Sequence, residues 1–409
     1  MSTLSDPPSG SFRPSMLLND TRYRSYTFQF IALLVLLICL GYLVSNLLAN
    51  LRAAGLNISY QFLGESAGYD INQRLIEYDS QSTHWRAAVV GLLNTLLVAV
   101  VGCILATIIG VTVGVLRLSK NWLVRKVMSI YVEIFRNVPV LIWILVIMAV
   151  FIAVLPQPRE FRGEDATASM VLDLFAFTGR GFYAPRPFFT AEWATGSTGW
   201  LVILGLLVAS FFGTRALGKW ATEAQEATGN RPRTWYFTLG IWFVPLILAF
   251  TIMGLSWELP ALKGFNFQGG IFARNSFIAL TFALSIYTAA FIAENVRAGI
   301  LAISKGQTEA AASLGLRPNR IMNLVVLPQA LRVIIPPLIS QYLNLTKNSS
   351  LAIAVGYMDL TGTLGGITLN QTGRAIEAIL LLMLFYLSVS LLISFFMNIY
   401  NNSVKLKER

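Results

Sequence analysis

"SKGQTEAAASLGLRPNRIMNLVVLPQAL", residues 304–331, is polar, charged and alanine-rich, yet it lies between two long apolar runs. Within it "QTEAAASL" is built from strong helix formers. Ser304 and Gln307 stand at the spacing of a capping box, in which side chains satisfy the free amides of a helix start. Gly315 can take the left-handed conformation that ends a helix, and Pro318 suits the first turn of the next one. Pro328 then closes the run "NRIMNLVVL". The stretch therefore reads as a short helix, a glycine turn and a second helix leading into the next apolar segment. Such a rigid knob is a poor linker and a good docking surface.

What surrounds the knob sets its context. Of 409 residues, 55% are apolar and only 12% charged, about half the charged share of soluble domains. Eight segments are long and apolar enough to cross a bilayer: near 28–50, 88–116, 127–155, 199–214, 235–256, 276–302, 333–355 and 377–400. The first, "FIALLVLLICLGYLVSNLLA", is too long for a signal peptide and reads as an uncleaved anchor helix.

The net charge of +11 is explained by topology. With the N-terminus inside, the inner segments hold eighteen basic residues against six acidic ones. These include Arg13, Arg117, Arg215, Lys305, Arg317, Lys405, Lys407 and Arg409. The outer loops hold ten against eleven. Basic residues concentrate on the cytoplasmic side, so both termini and the 304–331 loop are expected there. No basic module is set apart for nucleic acid, and no nucleic-acid partner is expected.

Several chemistries are excluded. Cys39 and Cys103 lie inside apolar runs and read as small hydrophobes, without metal or disulfide spacing. His84 is the one histidine and reads as a loop or interface residue, so neither a metal site nor a nucleophile–base–orienter set can be assembled. No G-x-x-x-x-G-K-[ST] phosphate loop is present. The chain is expected to be no enzyme, to need no cofactor, and to draw on ATP hydrolysis only through a separate subunit.

Ionisable groups inside spans are costly and mark candidate functional positions. Glu294 and Arg297, and likewise Glu133 and Arg136, stand three apart and are expected to pair along their helices. Lys347 lies in "SQYLNLTKNSSLAIAVG" after the helix-disturbing Pro336 and Pro337, flanked by Asn344, Asn348 and Ser349. A polar, proline-interrupted segment at membrane depth lines a cavity or is buried in protein. These four residues are candidates for the translocation path, with a gate or packing role as the other reading.

The motifs carry a family resemblance. "EAAASLGLRPNRIMNLVVLP" resembles the cytoplasmic EAA loop of ABC-importer permeases: Glu-Ala-Ala, three residues, Gly, nine residues, Ile-x-Leu-Pro. Glu309, Ala310, Ala311, Gly315, Leu327 and Pro328 fit, and Val325 stands where Ile is usual. "GLLNTLLVAVVGCILATIIGVTVGVLRLS", "YVEIFRNVPVLIWI", "IAENVRAGI" and "KNSSLAIAVGYMDLTG" resemble the polar amino-acid type of these permeases. Val138 and Trp143 depart from that pattern around Pro139.

The resemblance implies an all-α integral membrane fold of about eight transmembrane helices with a five-helix type I ABC-importer permease core. It implies division into residues 1–87 (tail, anchor helix and outer loop), 88–155 (two core spans) and 156–275 (an insertion with two extra spans). Core spans then follow over 276–400 with the coupling loop 304–328, and a tail over 401–409. Glu309, Ala310, Ala311, Leu314 and Gly315 would couple to a cytoplasmic ABC ATPase dimer. A second permease subunit, a periplasmic amino-acid-binding protein and membrane lipid complete the implied partners, in a bacterial inner membrane. The substrate would be an L-amino acid; Asn348-Ser349-Ser350 resembles relatives that carry glutamate or aspartate. An ion-coupled secondary amino-acid transporter is the alternative.

Overall fold

The computed structural model describes residues 21–404 apart from 56 and 163–165. Arg13, Lys405, Lys407, Arg409 and the acidic centre of "REFRGEDATASMVLD" thus lie outside the described residues. The chain divides into two units, residues 1–62 and 63–409. The first carries α1 (Thr21–Ala53), a helix with no residue of its apolar stretch buried and with Cys39 exposed. Cys39 is therefore a surface residue of this helix and no part of a core.

In the second unit the expected spans appear as helices. They are α2 (His84–Leu116), α3 (Trp122–Asn137), α4 (Val140–Val154), α5 (Ser197–Thr228), α6 (Trp235–Ile252) and α7 (Asn275–Leu301). The short α8 (Lys305–Ser313) precedes α9 (Leu327–Asn348) and α10 (Ala375–Val404). Local chemistry sets the starts: the Thr83 hydroxyl accepts the Arg86 amide at 3.2 Å, and Asn121 Oδ1 accepts the Leu123 amide at 2.9 Å.

The centre of the unit is the packing of α2 on α7. Small residues permit it, as expected where lipid gives helices no hydrophobic reason to associate. A Cβ added at Gly110 would lie 2.6 Å from Ile292 Cβ, and one at Gly114 only 2.8 Å from the Ala293 carbonyl. The neighbouring core gathers Val98, Ala106, Ile144, Leu284, Ile292 and Leu345.

Two proline sites behave differently from expectation. The segment 127–155 is no straight span: α3 and α4 meet at 106° across Val138 and Pro139. Val138 is extended (φ −112°, ψ 132°), the conformation that a following proline imposes. The Phe135 and Trp143 rings, 4.3 Å apart, pack across the bend. At Pro336 and Pro337, in contrast, α9 runs on unbroken. Helical regularity fails later, in a 3₁₀ stretch over Ser349–Val355 that ends at left-handed Gly356.

The helical membrane fold also carries seven short strands among the described residues, all within 156–275. β1 (Ala176–Thr178), β2 (Gly181–Ala184) and β7 (Ile271–Arg274) form one antiparallel sheet. β3 (Arg186–Phe189) pairs with β4 (Leu255–Glu258), and β5 (Ala261–Lys263) with β6 (Asn266–Gln268). Ala176, Tyr183 and Phe267 make a small core there. Asn275 Nδ2 donates to the Thr178 carbonyl at 3.0 Å, fastening this β-module to the start of α7.

Candidate coupling and translocation sites

The module sits at the beginning of α7 and the 304–331 knob at its end. With 27 residues in α7 the two are about 40 Å apart along the helix axis, and so on opposite membrane faces.

The knob forms as its residues dictate. Ser304 is the N-cap of α8, but its hydroxyl accepts no helix amide; the Gln307 amide bonds the Ser304 carbonyl instead, at 3.1 Å. The capping box is therefore not formed, because the tight backbone turn already satisfies the donor it would serve. Gly315 adopts φ +77°, a conformation a β-branched residue resists. Pro318 opens the short helix Pro318–Ile321. Pro328 does not end the run. A π-turn over Met322–Val326 carries the helix on into α9, and its wider turn accommodates Pro328, which has no amide to bond the turn before it.

Ala311 is buried against Ile321 and Val326, so it clamps the two helices of the knob together. Glu309 and Ala310 stay exposed, and Leu314 at the tip is 80% exposed. Four of the five coupling candidates thus lie on the outside of the knob, and Ala311 is its internal packing residue.

Next to the knob end of α7 lies a charged cluster that local spacing alone does not reveal. Glu294 pairs with Arg297 at 3.2 Å as expected, but also with Arg117 from the end of α2 and with Arg136 of α3 at 3.7 Å. Arg136 therefore does not pair with Glu133, whose carboxylate accepts from Asn137 Nδ2 at 3.3 Å. One carboxylate holds three helices where their charges would otherwise repel.

On α9, Ser340, Asn344 and Lys347 are exposed at spacings of four and three, which places them on one helix face. Asn348 is half-buried. Ser349 is buried and donates to the Thr346 carbonyl at 2.7 Å. The first three make a polar stripe on a membrane-spanning helix, and Ser349 belongs to the packing behind it. The opposite side of α9 meets α2 and α10 around an apolar cavity of about 530 Å³, where the Thr107 and Tyr342 hydroxyls are 2.6 Å apart.

The other end of α2 carries a buried polar lock, again beyond the candidate residues. Asn94 Nδ2 donates to the Gln73 and Met358 carbonyls, both at 2.8 Å, and Thr95 Oγ1 accepts the Leu360 amide at 3.0 Å. Asp359, in the connection between the last two spans, is fully buried. It accepts the Gly362 amide at 2.8 Å and the Tyr386 hydroxyl at 3.2 Å. Burial pushes its carboxyl up to about 6, against the pull of those donors. His84 is no surface loop residue either: it is buried at the start of α2, with Nδ1 3.1 Å from Thr368 Oγ1. The signal for the lock was Asn94, Thr95 and Asp359 standing in otherwise apolar stretches.

A multi-span helical protein with a rigid knob at one face and polar groups on its spanning helices has the form of a membrane transport subunit. Residues 234–406 match the model of the family described as binding-protein-dependent transport system inner membrane component. The chain is 54% identical, over the full length of both, to the glutamate/glutamine/aspartate/asparagine transport system permease protein BztB of Rhodobacter capsulatus. It is 43% identical to the general L-amino acid transport system permease protein AapQ of Rhizobium johnstonii, covering 98% of this chain and 96% of that one. Identity is also 43% to the putative amino-acid ABC transporter permease protein YhdX of Escherichia coli, over 97% and 98%.

The chain belongs to the family of inner-membrane permease components of binding-protein-dependent transport systems. It is a non-catalytic permease subunit of an ABC amino-acid transporter, and the ion-coupled alternative is set aside.

Proposed function

We propose that this permease imports L-amino acids of the acidic and amide type, or a broader polar range, from the periplasm. The 54% full-length identity to a permease named for those four substrates supports the range. The subunit lies in a bacterial inner membrane with both termini cytoplasmic, as the basic residues at the knob face argue.

The knob is the coupling element, and the single observation that carries this is Leu314, 80% exposed at its tip. An apolar side chain held out on a rigid, Ala311-clamped support is suited to a groove on a partner. That partner is a cytoplasmic ABC ATPase dimer, met by Glu309, Ala310, Leu314 and the Gly315 turn. A second permease subunit completes the translocation path as a heterodimer. The polar face of Asn344 and Lys347, with half-buried Asn348 at its outer end and Ser349 packed behind it, turns toward that path, because polar groups on a spanning helix do not face lipid. A soluble binding protein delivers the substrate on the module side. Residues 88–155 and 276–400 supply the moving core, 1–87 the anchor region and 156–275 an added outer platform with two lipid-facing spans.

The test is uptake by the reconstituted complex with ion gradients collapsed: it proceeds with ATP and stops without it. Uptake that follows an ion gradient without ATP overturns the reading. Gly315→Val provides a second arm. Strain at positive φ distorts the tip, so transport and substrate-stimulated ATPase fall about tenfold or more while membrane insertion is normal. Full transport by that variant removes the knob from the mechanism.

A further inference from the structure

The outer β-module holds a pocket that the transport mechanism above leaves unused. A cavity of about 350 Å³ is lined by Gln157, Arg159, Arg162, Arg180, Gly264 and Phe265. We infer that these three arginines form a carboxylate site that grips acidic side chains of the soluble binding protein. The inference rests on the proposed reading that the module faces the periplasm and that a binding protein docks there.

Among the described residues, no carboxylate lines the pocket. Arg162 donates to the Gly264 carbonyl and Arg180 Nη1 to the Phe265 carbonyl at 3.4 Å. Both acceptors are neutral, so these bonds fix the guanidinium groups without cancelling their charge. The Arg159 side chain has no hydrogen bond or ion pair among the described residues. The acid of the same turn, Glu160, is not among the lining residues, and its Oε1 accepts the Gln157 amide at 3.1 Å. Pre-positioned guanidinium forks match carboxylates two bonds at a time.

The placement is also against the topological trend. Arginines on this face do nothing to orient the chain. Phe265, 88% exposed at the adjoining β5–β6 turn, adds an apolar anchor beside the charges. No residue of α7 or α9 lines the cavity, so a carboxylate held there lies outside the polar face of α9. That favours a docked protein over a passing substrate.

The experiment is titration of the cognate binding protein, loaded with substrate, onto the complete complex in nanodiscs, read as stimulated ATPase at several salt concentrations. Arg159→Glu breaks no bond within the module. Its half-saturating binding-protein concentration should rise about tenfold, with basal and maximal ATPase unchanged and a flatter salt dependence. R159Q/R162Q/R180Q should shift it further, and R159K/R162K/R180K, which keeps the charge but loses the paired forks, should fall between the native complex and that glutamine variant. An unchanged half-saturating concentration in Arg159→Glu overturns the inference. So does a shift that vanishes in zwitterionic lipid, which would assign the pocket to headgroups, or one that millimolar free glutamate reproduces in the native complex. A native complex with no stimulation at all instead fails the underlying transport reading, and this inference with it.

Discussion

Helices α6 and α7 are nearly equal in apolarity and opposite in fate. In the most apolar stretch of α7, 67% of residues are buried within the chain, and in that of α6 none are. The difference lies in side-chain size and polarity. α7 reads "NSFIALTFALSIYTAAFIAENVRAGIL", with alanine, serine, threonine and glycine recurring through it, whereas α6 reads "WYFTLGIWFVPLILAFTI", aromatic and bulky. In a bilayer, small residues let backbones approach and polar ones need protein partners, so they mark the interior that hydropathy cannot distinguish. Ser285 Oγ, for example, bonds the Thr281 carbonyl of its own helix at 2.6 Å and lies 3.3 Å from the Gly102 carbonyl of α2.

Leucine placed at matched glycines tests this contrast most severely. Gly110→Leu forces a side chain into Ile292 and the Ala289 backbone and should cost about 3 kcal/mol or more. A Cβ added at Gly240 on α6 meets nothing within 4 Å, so Gly240→Leu should stay within about 0.5 kcal/mol of native stability. Unfolding curves of the two purified variants decide it. Equal losses would break the contrast, and loss of only subunit assembly in Gly240→Leu would give α6 a protein partner.

Charge offers the next test. Glu294→Gln leaves Arg117, whose side chain is only 8% exposed, without its counter-charge. A fully buried pair broken on one side costs about 3–5 kcal/mol. Glu294 keeps 30% exposure, so about 2 kcal/mol is expected after screening. Arg186→Gln removes the exposed Arg186–Glu258 pair between β3 and β4 and should cost under about 1 kcal/mol. Chemical denaturation that ranks them the other way would deny the Glu294 hub its role.

A pH dependence at Asp359 is the last test. Its carboxyl is raised by burial, so folding favours the neutral form; its contribution is greatest in acid and is lost as pH rises through about 6. The melting temperature of the native subunit should therefore carry a decline between pH 5 and 7 that is absent in Asp359→Asn. Asparagine also keeps an acceptor for the Gly362 amide, whereas Asp359→Ala strands it at a cost of about 1–2 kcal/mol. Identical pH profiles for native and Asp359→Asn would contradict the buried placement.

Much of the architecture was legible in the sequence, because long apolar runs, the helix–Gly315–helix pattern and Pro318 are local signals. What escaped has physical causes. The two proline sites look alike in sequence. Yet Pro139 follows an extended Val138 and turns the chain, while Pro336 and Pro337 sit within a helix whose packing holds it continuous. The β-module went unseen because its strands have three or four residues and join partners far apart in the chain, as in Arg186 with Glu258. The Glu294 hub and the Asn94–Asp359 lock likewise join residues from different helices, so local spacing suggested Glu133–Arg136 where Glu294 won the arginine. For the coupling candidates, exposure separated Ala311 from its neighbours, which no pattern of letters does.

The central claim is that the exposed tip of the knob engages a separate ATPase subunit. The direct measurement replaces Cys39 and Cys103, introduces Leu314→Cys, and cross-links native membranes with a short thiol reagent against single cysteines in the ATPase groove. The account predicts a cross-linked product of permease and ATPase whose yield changes on ATP binding, with none from a cysteine at Gly240. A Leu314→Cys permease that assembles, transports at the native rate and never joins the ATPase would contradict it.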